Sequence, residues 1–203
     1  MTEDAFGMTF ADNNLVEQAA NGDVRAFALL VRNHSGLVYR VALRILGVED
    51  AQDASQEVWI RVWRNVKNFR GDSAFTTWLY RITVNTCLST YRRKQDREAR
   101  EFDSEQLSYL PIPAGYEDDP ETTALAEERR EELLRALEQV RAEHRAALVL
   151  RHMEGLSYAE IAQILDIPDG TAKGWVNRGR AALLVALSEE GGGENLESGA
   201  RLR

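Results

Sequence analysis

Apolar residues recur every three or four positions through most of the 203-residue chain, so the pattern predicts helices nearly throughout. Residues 13–34 read as a helix, a break at Asn21-Gly22-Asp23, and a second helix that Asp23 caps. Val38, Val41, Ala42 and Ile45 continue that second stripe until Gly47 ends it. The next segment carries acids in its first turns and bases in its last, an order that suits the helix dipole. Its Val58, Trp59, Val62 and Trp63 are too many for one narrow stripe. A polar interruption, KNFRGDSAF (67–75), separates it from a long helix with Trp78, Leu79 and Ile82 on one side and Arg92-Arg93-Lys94 at its end. Two amphipathic helices, TTALAEERREELLRALEQV and HRAALVLRHMEG, follow a Pro-rich stretch. The chain is therefore expected to be all-α, with two helical domains joined by a flexible linker.

The stretch Gly155–Leu187 predicts a helix-turn-helix. Ser157 and Glu160 have capping-box spacing, and Ile161, Ile164 and Leu165 give the first helix an apolar face. DIPDG breaks it: Pro168 suits the first position of a new helix, and Gly170 permits a sharp turn or close approach. Ala172, Val176, Leu183 and Leu187 form a buried stripe, opposite Lys173, Asn177, Arg178 and Arg180. Such a motif places its second helix in the DNA major groove. A plain helical hairpin with a solvated basic face is the alternative.

Charge sharpens this reading. The net charge of −8 argues against a nucleic-acid binder until it is divided. Residues 21–100 hold fourteen bases against eight acids, while residues 101–132 hold eleven acids against two bases. A basic block is thus followed by an acidic connector. In KNFRGDSAF, Phe69 and Phe75 bracket a Gly-Asp-Ser turn beside Lys67 and Arg70. Such a loop can stack and hold an unpaired base. It can equally be a connector whose aromatics staple the flanking helices.

Other chemistry is sparse. His34, His144 and His152 have no ligand spacing, so no metal or cofactor is expected. The single Cys87 excludes an internal disulfide and lies within a helical run. No nucleophile–base pairing suggests an enzyme. The acidic opening lacks a secretory pattern, and no apolar run reaches the ~20 residues that cross a bilayer. A cytoplasmic protein without membrane insertion is expected.

These residues resemble a known family. The segment ALRILGVEDAQDASQEVWIRVWRNVKNFRGDSAFTTWLYRITVNTCLSTYRRK is similar to sigma region two, and ALVLRHMEGLSYAEIAQILDIPDGTAKGWVNRGRAAL to sigma region four. Both, in this order with a short linker, resemble the bacterial extracytoplasmic-function (ECF) sigma factors. The resemblance divides the chain into an N-terminal extension (1–12), a region-two domain (13–97), an acidic linker (98–123), a region-four domain (124–188) and a disordered tail (189–203).

It implies a promoter-specificity subunit that binds core RNA polymerase and melts promoters. Asp50, Asp53, Gln56, Glu57 and Ile60 would then dock on the largest subunit's clamp helices, while the flap is a second expected polymerase contact. Lys67, Asn68, Phe69, Arg70, Asp72, Ser73 and Phe75 would receive a flipped base of the minus-ten non-template strand, which Trp78, Arg81 and Asn85 would line. Thr171, Lys173, Gly174, Trp175, Asn177, Arg178 and Arg180 would read the minus-thirty-five duplex. An anti-sigma factor is a further expected partner. The linker would thread polymerase's basic RNA path, or serve only as a spacer.

The chain departs from the family pattern at Val140-Arg141, where Leu-Pro is usual, and at Gly174 and Trp175, where a hydroxyl and a cation are usual; Asp169 adds a negative charge nearby. A conventional helix-turn-helix regulator, binding duplex DNA without polymerase, is the competing reading.

Overall fold

The computed structural model describes residues 10–99 and 124–197. The described residues form α1 (Phe10–Ala20), α2 (Val24–Leu46), α3 (Val48–Asn65), a 3₁₀ turn (Val66–Asn68), α4 (Phe75–Glu98), α5 (Ala124–Glu138), α6 (Ala142–His152), α7 (Tyr158–Leu165) and α8 (Asp169–Glu197), with no strand among them. They make two compact units. α1 to α4 build the first; α5, α6, α8 and the larger part of α7 build the second.

In the first unit α2 packs against α1, α3 and α4. Asp23 starts α2 as its spacing predicts: its Oδ1 accepts from the amides of Arg25 at 2.8 Å and Ala26 at 3.2 Å. Gly47 alone separates α2 from α3, at φ 83°, and its amide donates to Leu43. A side chain there would be strained, so the glycine permits two long helices to be joined by one residue. Leu30, Val38, Val58, Val62, Phe75 and Leu79 fill the core. Lys94, near the end of α4, bonds Asp50 at 2.9 Å and Glu49 at 3.1 Å in the first turn of α3.

One buried polar pair has no local sequence signal. Asp12 on α1 lies 3.2 Å from Nε2 of His34 on α2, and both are buried. α1 begins at Phe10, so the boundary expected at residue 13 falls inside a helix and would exclude Asp12 from the domain it helps to hold.

In the second unit α8 packs on α6 and α5. Arg145 of α6 is fully buried. Its guanidinium donates to the carbonyls of Glu138 and Val140 at the end of α5. Those carbonyls lack helical partners and carry the negative end of the α5 dipole, so a cation satisfies both needs. The predicted capping box is present: the amide of Ser157 donates to Glu160 at 2.7 Å, and the amide of Glu160 donates to Ser157 Oγ at 3.3 Å.

Three expectations change here. Asp166, at φ 55°, makes the turn between α7 and α8; Gly170 sits in the first turn of α8, where an added Cβ would meet open space. Pro168 precedes α8 and is not its first residue; its carbonyl accepts from Thr171 and Ala172. α8 also continues to Glu197, past residue 188, through Gly191-Gly192-Gly193. The acidic linker beyond its first two residues, and residues 198–203, lie outside the described residues.

Candidate nucleic-acid interface

The loop between α3 and α4 is built from the inside outward. Phe75, the first residue of α4, is fully buried. Its ring meets His34 at 5.4 Å, Phe69 at 6.0 Å and Trp78 at 5.8 Å, and Phe69 meets Trp78 at 5.4 Å. Phe69 and Trp78 are half-buried. This floor changes the role expected of Phe75: with no exposed surface it offers nothing for a base to stack on, and it instead supports Phe69 and Trp78. Above the floor, Lys67, Asn68, Arg70, Asp72 and Ser73 are all exposed, and Gly71 turns the chain at φ 76°. Arg81 and Asn85 are exposed one and two turns beyond Trp78 on α4. The aromatics of the loop thus staple the flanking helices, and its polar side chains are presented outward.

On α3 the expected docking residues divide in the same way. Asp53, Gln56 and Ile60 are exposed at spacings of three and four. Asp50 is engaged by Lys94. Burial opposes the charge on Lys94, but its bonds to Asp50 and Glu49 prevail and hold its pKa above the ordinary value. Glu57 bonds Arg61 one turn on, and that bond keeps its carboxyl below the usual range against a small opposing effect of burial.

On α8 the buried stripe comprises Ala172, Val176, Gly179 and Ala186. Lys173, Asn177 and Arg180 are exposed, at spacings of four and three. Thr171, Gly174 and Trp175 are half-buried. Trp175 turns toward α6, its ring 6.0 Å from that of His144. Arg178 bends back along the helix and donates Nε–H to Nε2 of His144 at 3.3 Å. A Cβ on Gly174 would lie 3.4 Å from both terminal nitrogens of Arg178. That distance is an ordinary contact; the glycine that permits close helix packing is Gly179, where a Cβ would fall 2.7 Å from the carbonyl oxygen of His144. His144 has its pKa lowered, by burial first and then by Arg178 and Arg141.

Comparison with known proteins now adds to this geometry. The sigma-70 region 2 family matches residues 30–98, and the sigma-70 region 4 family matches residues 130–183. The ECF RNA polymerase sigma-E factor of Escherichia coli K12 is 38% identical over 176 residues, covering 85% of this chain and 92% of that one. The chain belongs to the ECF sigma factors. CnrH, solved in complex with the cytosolic domain of CnrY, is 26% identical and matches with a TM-score of 0.62 over 88% of this chain and 98% of its own. The fold is also that of the sigma factor RpoE of Bartonella quintana, co-crystallised with the anti-sigma factor NepR, at 23% identity and a TM-score of 0.59 over 81% of this chain.

As an alternative sigma factor, the protein directs RNA polymerase to promoters. The region-two match begins inside α2, after Asp12 and Ala26, so part of the core that holds this sigma factor's loop lies before it. Among the described residues no cluster of His, Cys, Asp or Glu could hold a metal ion, and no helix is long and apolar enough to cross a membrane. Cys87 is buried in the region-two core, which pushes its thiol up to about 12.

Sequence reasoning missed His144. Its bond to Arg178 spans 34 residues of sequence, and nothing local marks a histidine on α6 as a partner of the reading helix. Asp166 did carry a signal, because Asp is among the few residues other than Gly that visit the left-handed region.

Proposed function

We propose that this sigma factor docks on the clamp helices of polymerase's largest subunit through Asp53, Gln56 and Ile60, with Glu57 at the edge of that face. The second unit contacts the flap and reads the minus-thirty-five duplex through Lys173, Asn177, Arg178 and Arg180, beside Thr171. The loop from Lys67 to Ser73 receives a base flipped from the minus-ten non-template strand. Arg81 and Asn85 hold the strand beyond it. Polymerase does the chemistry, and this subunit supplies position and strand opening.

The observation that carries this reading is the loop itself. Five polar side chains stand exposed over an aromatic floor that is already packed. A regulator that binds only duplex DNA has no use for such a surface. Flipping a base costs a few kcal/mol of unstacking, so a capture site is selected on how it holds the extruded base. Holoenzyme with Asn68→Ala or Arg70→Ala should open duplex promoters poorly and recover on pre-melted templates, as read by permanganate footprinting. Equal defects on both templates would count against base capture. Tight sequence-specific duplex binding by the protein alone would favour the regulator.

The acidic linker is assigned to polymerase's basic RNA path. Neutralising Glu117, Asp118, Asp119 and Glu121 should weaken core binding, most at low salt. An anti-sigma factor is proposed as the regulatory partner, by analogy with the complex of RpoE and NepR, and co-purification with mass spectrometry tests it. The protein acts where polymerase does, in the cytoplasm.

A further inference from the structure

We propose that His144, outside the helix-turn-helix, is a positioning residue that sets the orientation of Arg178 on the reading helix. This rests on the reading of α8 as the duplex-contacting helix.

Arginine has donors only, so the bond from Arg178 Nε requires a lone pair on Nε2 of His144. The histidine must be neutral, with its proton on Nδ1. Burial and the neighbouring cations favour that neutral form. Three features then hold one conformation. The guanidinium lies along α8 against Gly174. Trp175 packs beside the imidazole. Nε–H is tied to α6, so the anchor uses one donor of Arg178 and leaves those of its terminal nitrogens. An arginine side chain carries about 2 kcal/mol of rotamer entropy, and a fork already fixed loses less on meeting a phosphate or base edge.

Protonation would reverse the arrangement. Nε2 would lose its lone pair and set a cation against Arg178. Arg141 adds repulsion from the start of α6; Glu143 opposes it but is paired with Arg141 at 3.0 Å. α5, also packed on α6, supplies no charged group acting on His144 among the described residues.

The test uses full-length protein with core polymerase, on a promoter selected from a randomised library and on a copy with its upstream element scrambled. His144→Leu keeps an apolar group beside Trp175 and removes the acceptor; His144→Gln keeps an acceptor and does not titrate. His144→Leu should reduce preference for the intact upstream element about three- to tenfold, the range of one hydrogen bond. Added to Arg178→Ala it should cause no further loss. His144→Gln should recover most of the preference and flatten the decline that the parent shows as pH falls below the ordinary histidine range. Thermal melts confirm that each variant is folded. Additive losses, or a full preference in a folded His144→Leu, would overturn the positioning role while leaving the reading of α8 intact. If Lys173→Ala and Arg178→Ala both kept the full preference, the reading of α8 would fail, and this inference with it.

Discussion

Removing the ring of Phe75 separates two roles that an aromatic beside a DNA-binding loop can have. If the ring stacked on a base, Phe75→Ala would forfeit ~1–3 kcal/mol, all of it in the complex. The structure puts the ring in the core, against His34, Phe69 and Trp78, with none of its surface exposed. Truncating a buried Phe costs ~3–5 kcal/mol, because the transfer energy and a cavity are lost together. That is a large share of the ~5–15 kcal/mol by which a domain is stable, so the folding effect dominates. With a urea m-value of ~1–3 kcal/mol/M, the unfolding midpoint of the first unit should fall by about 1 M or more. Trp59, Trp63 and Trp78 report that transition by fluorescence. Transcription should then be impaired equally on duplex and pre-melted promoters, and Phe75→Leu, which keeps most of the volume, should recover much of it. An unchanged midpoint with a defect confined to duplex templates would refute the assignment and return the ring to the base.

Other outcomes follow from single positions. Arg145→Ala should destabilise the second unit by about 3 kcal/mol or more, since charged hydrogen bonds are worth ~1.5–3 kcal/mol each and two carbonyls lose their donor; Arg145→Lys should recover little, and thermal melts decide. Gly179→Ala should cost ~1–3 kcal/mol through collision with the His144 carbonyl, whereas Gly170→Ala should be neutral or stabilise by up to ~1 kcal/mol, because its Cβ meets open space. Lys94 has its pKa raised in the folded state, so its contribution is complete below the unfolded lysine range and is lost as pH rises through the folded value; Lys94→Gln should remove that alkaline decline from the stability profile. Cys87 should resist a thiol reagent in native protein and react once urea unfolds the first unit.

The helices and most of their ends were legible because their causes are local. Asp23 caps α2 from two and three residues away, Ser157 and Glu160 bond each other across three, and Gly47 acts on its own φ. What stayed hidden depends on residues distant in sequence. Asp12 and His34 are 22 apart, and Arg145 reaches carbonyls of the preceding helix from a position that reads as an ordinary polar site. The loop was legible as a set and not by member. Composition placed Phe69, Phe75, Lys67 and Arg70 together, but only the packing of α4 on α2 decides which ring faces inward.

The two glycines of the reading helix show how one packing choice has several effects. Each costs ~1 kcal/mol relative to Ala inside a helix, which suggests that each replaces a side chain with something of greater value. Closeness to DNA is the obvious return for a helix that enters a groove. Both returns instead lie within the second unit. Gly179 removes a Cβ that would stand 2.7 Å from the His144 carbonyl, so α8 can approach the backbone of α6 closely. The same approach brings the His144 ring within reach of Arg178, one residue earlier on α8. Arg178 lies toward that ring with its guanidinium against Gly174, one turn before it, where a Cβ would stand 3.4 Å from both terminal nitrogens. The crossing of α6 and α8, set at Gly179, therefore also selects which cation of the reading helix is anchored in one orientation, Arg178, and which, Lys173 and Arg180, project into solvent.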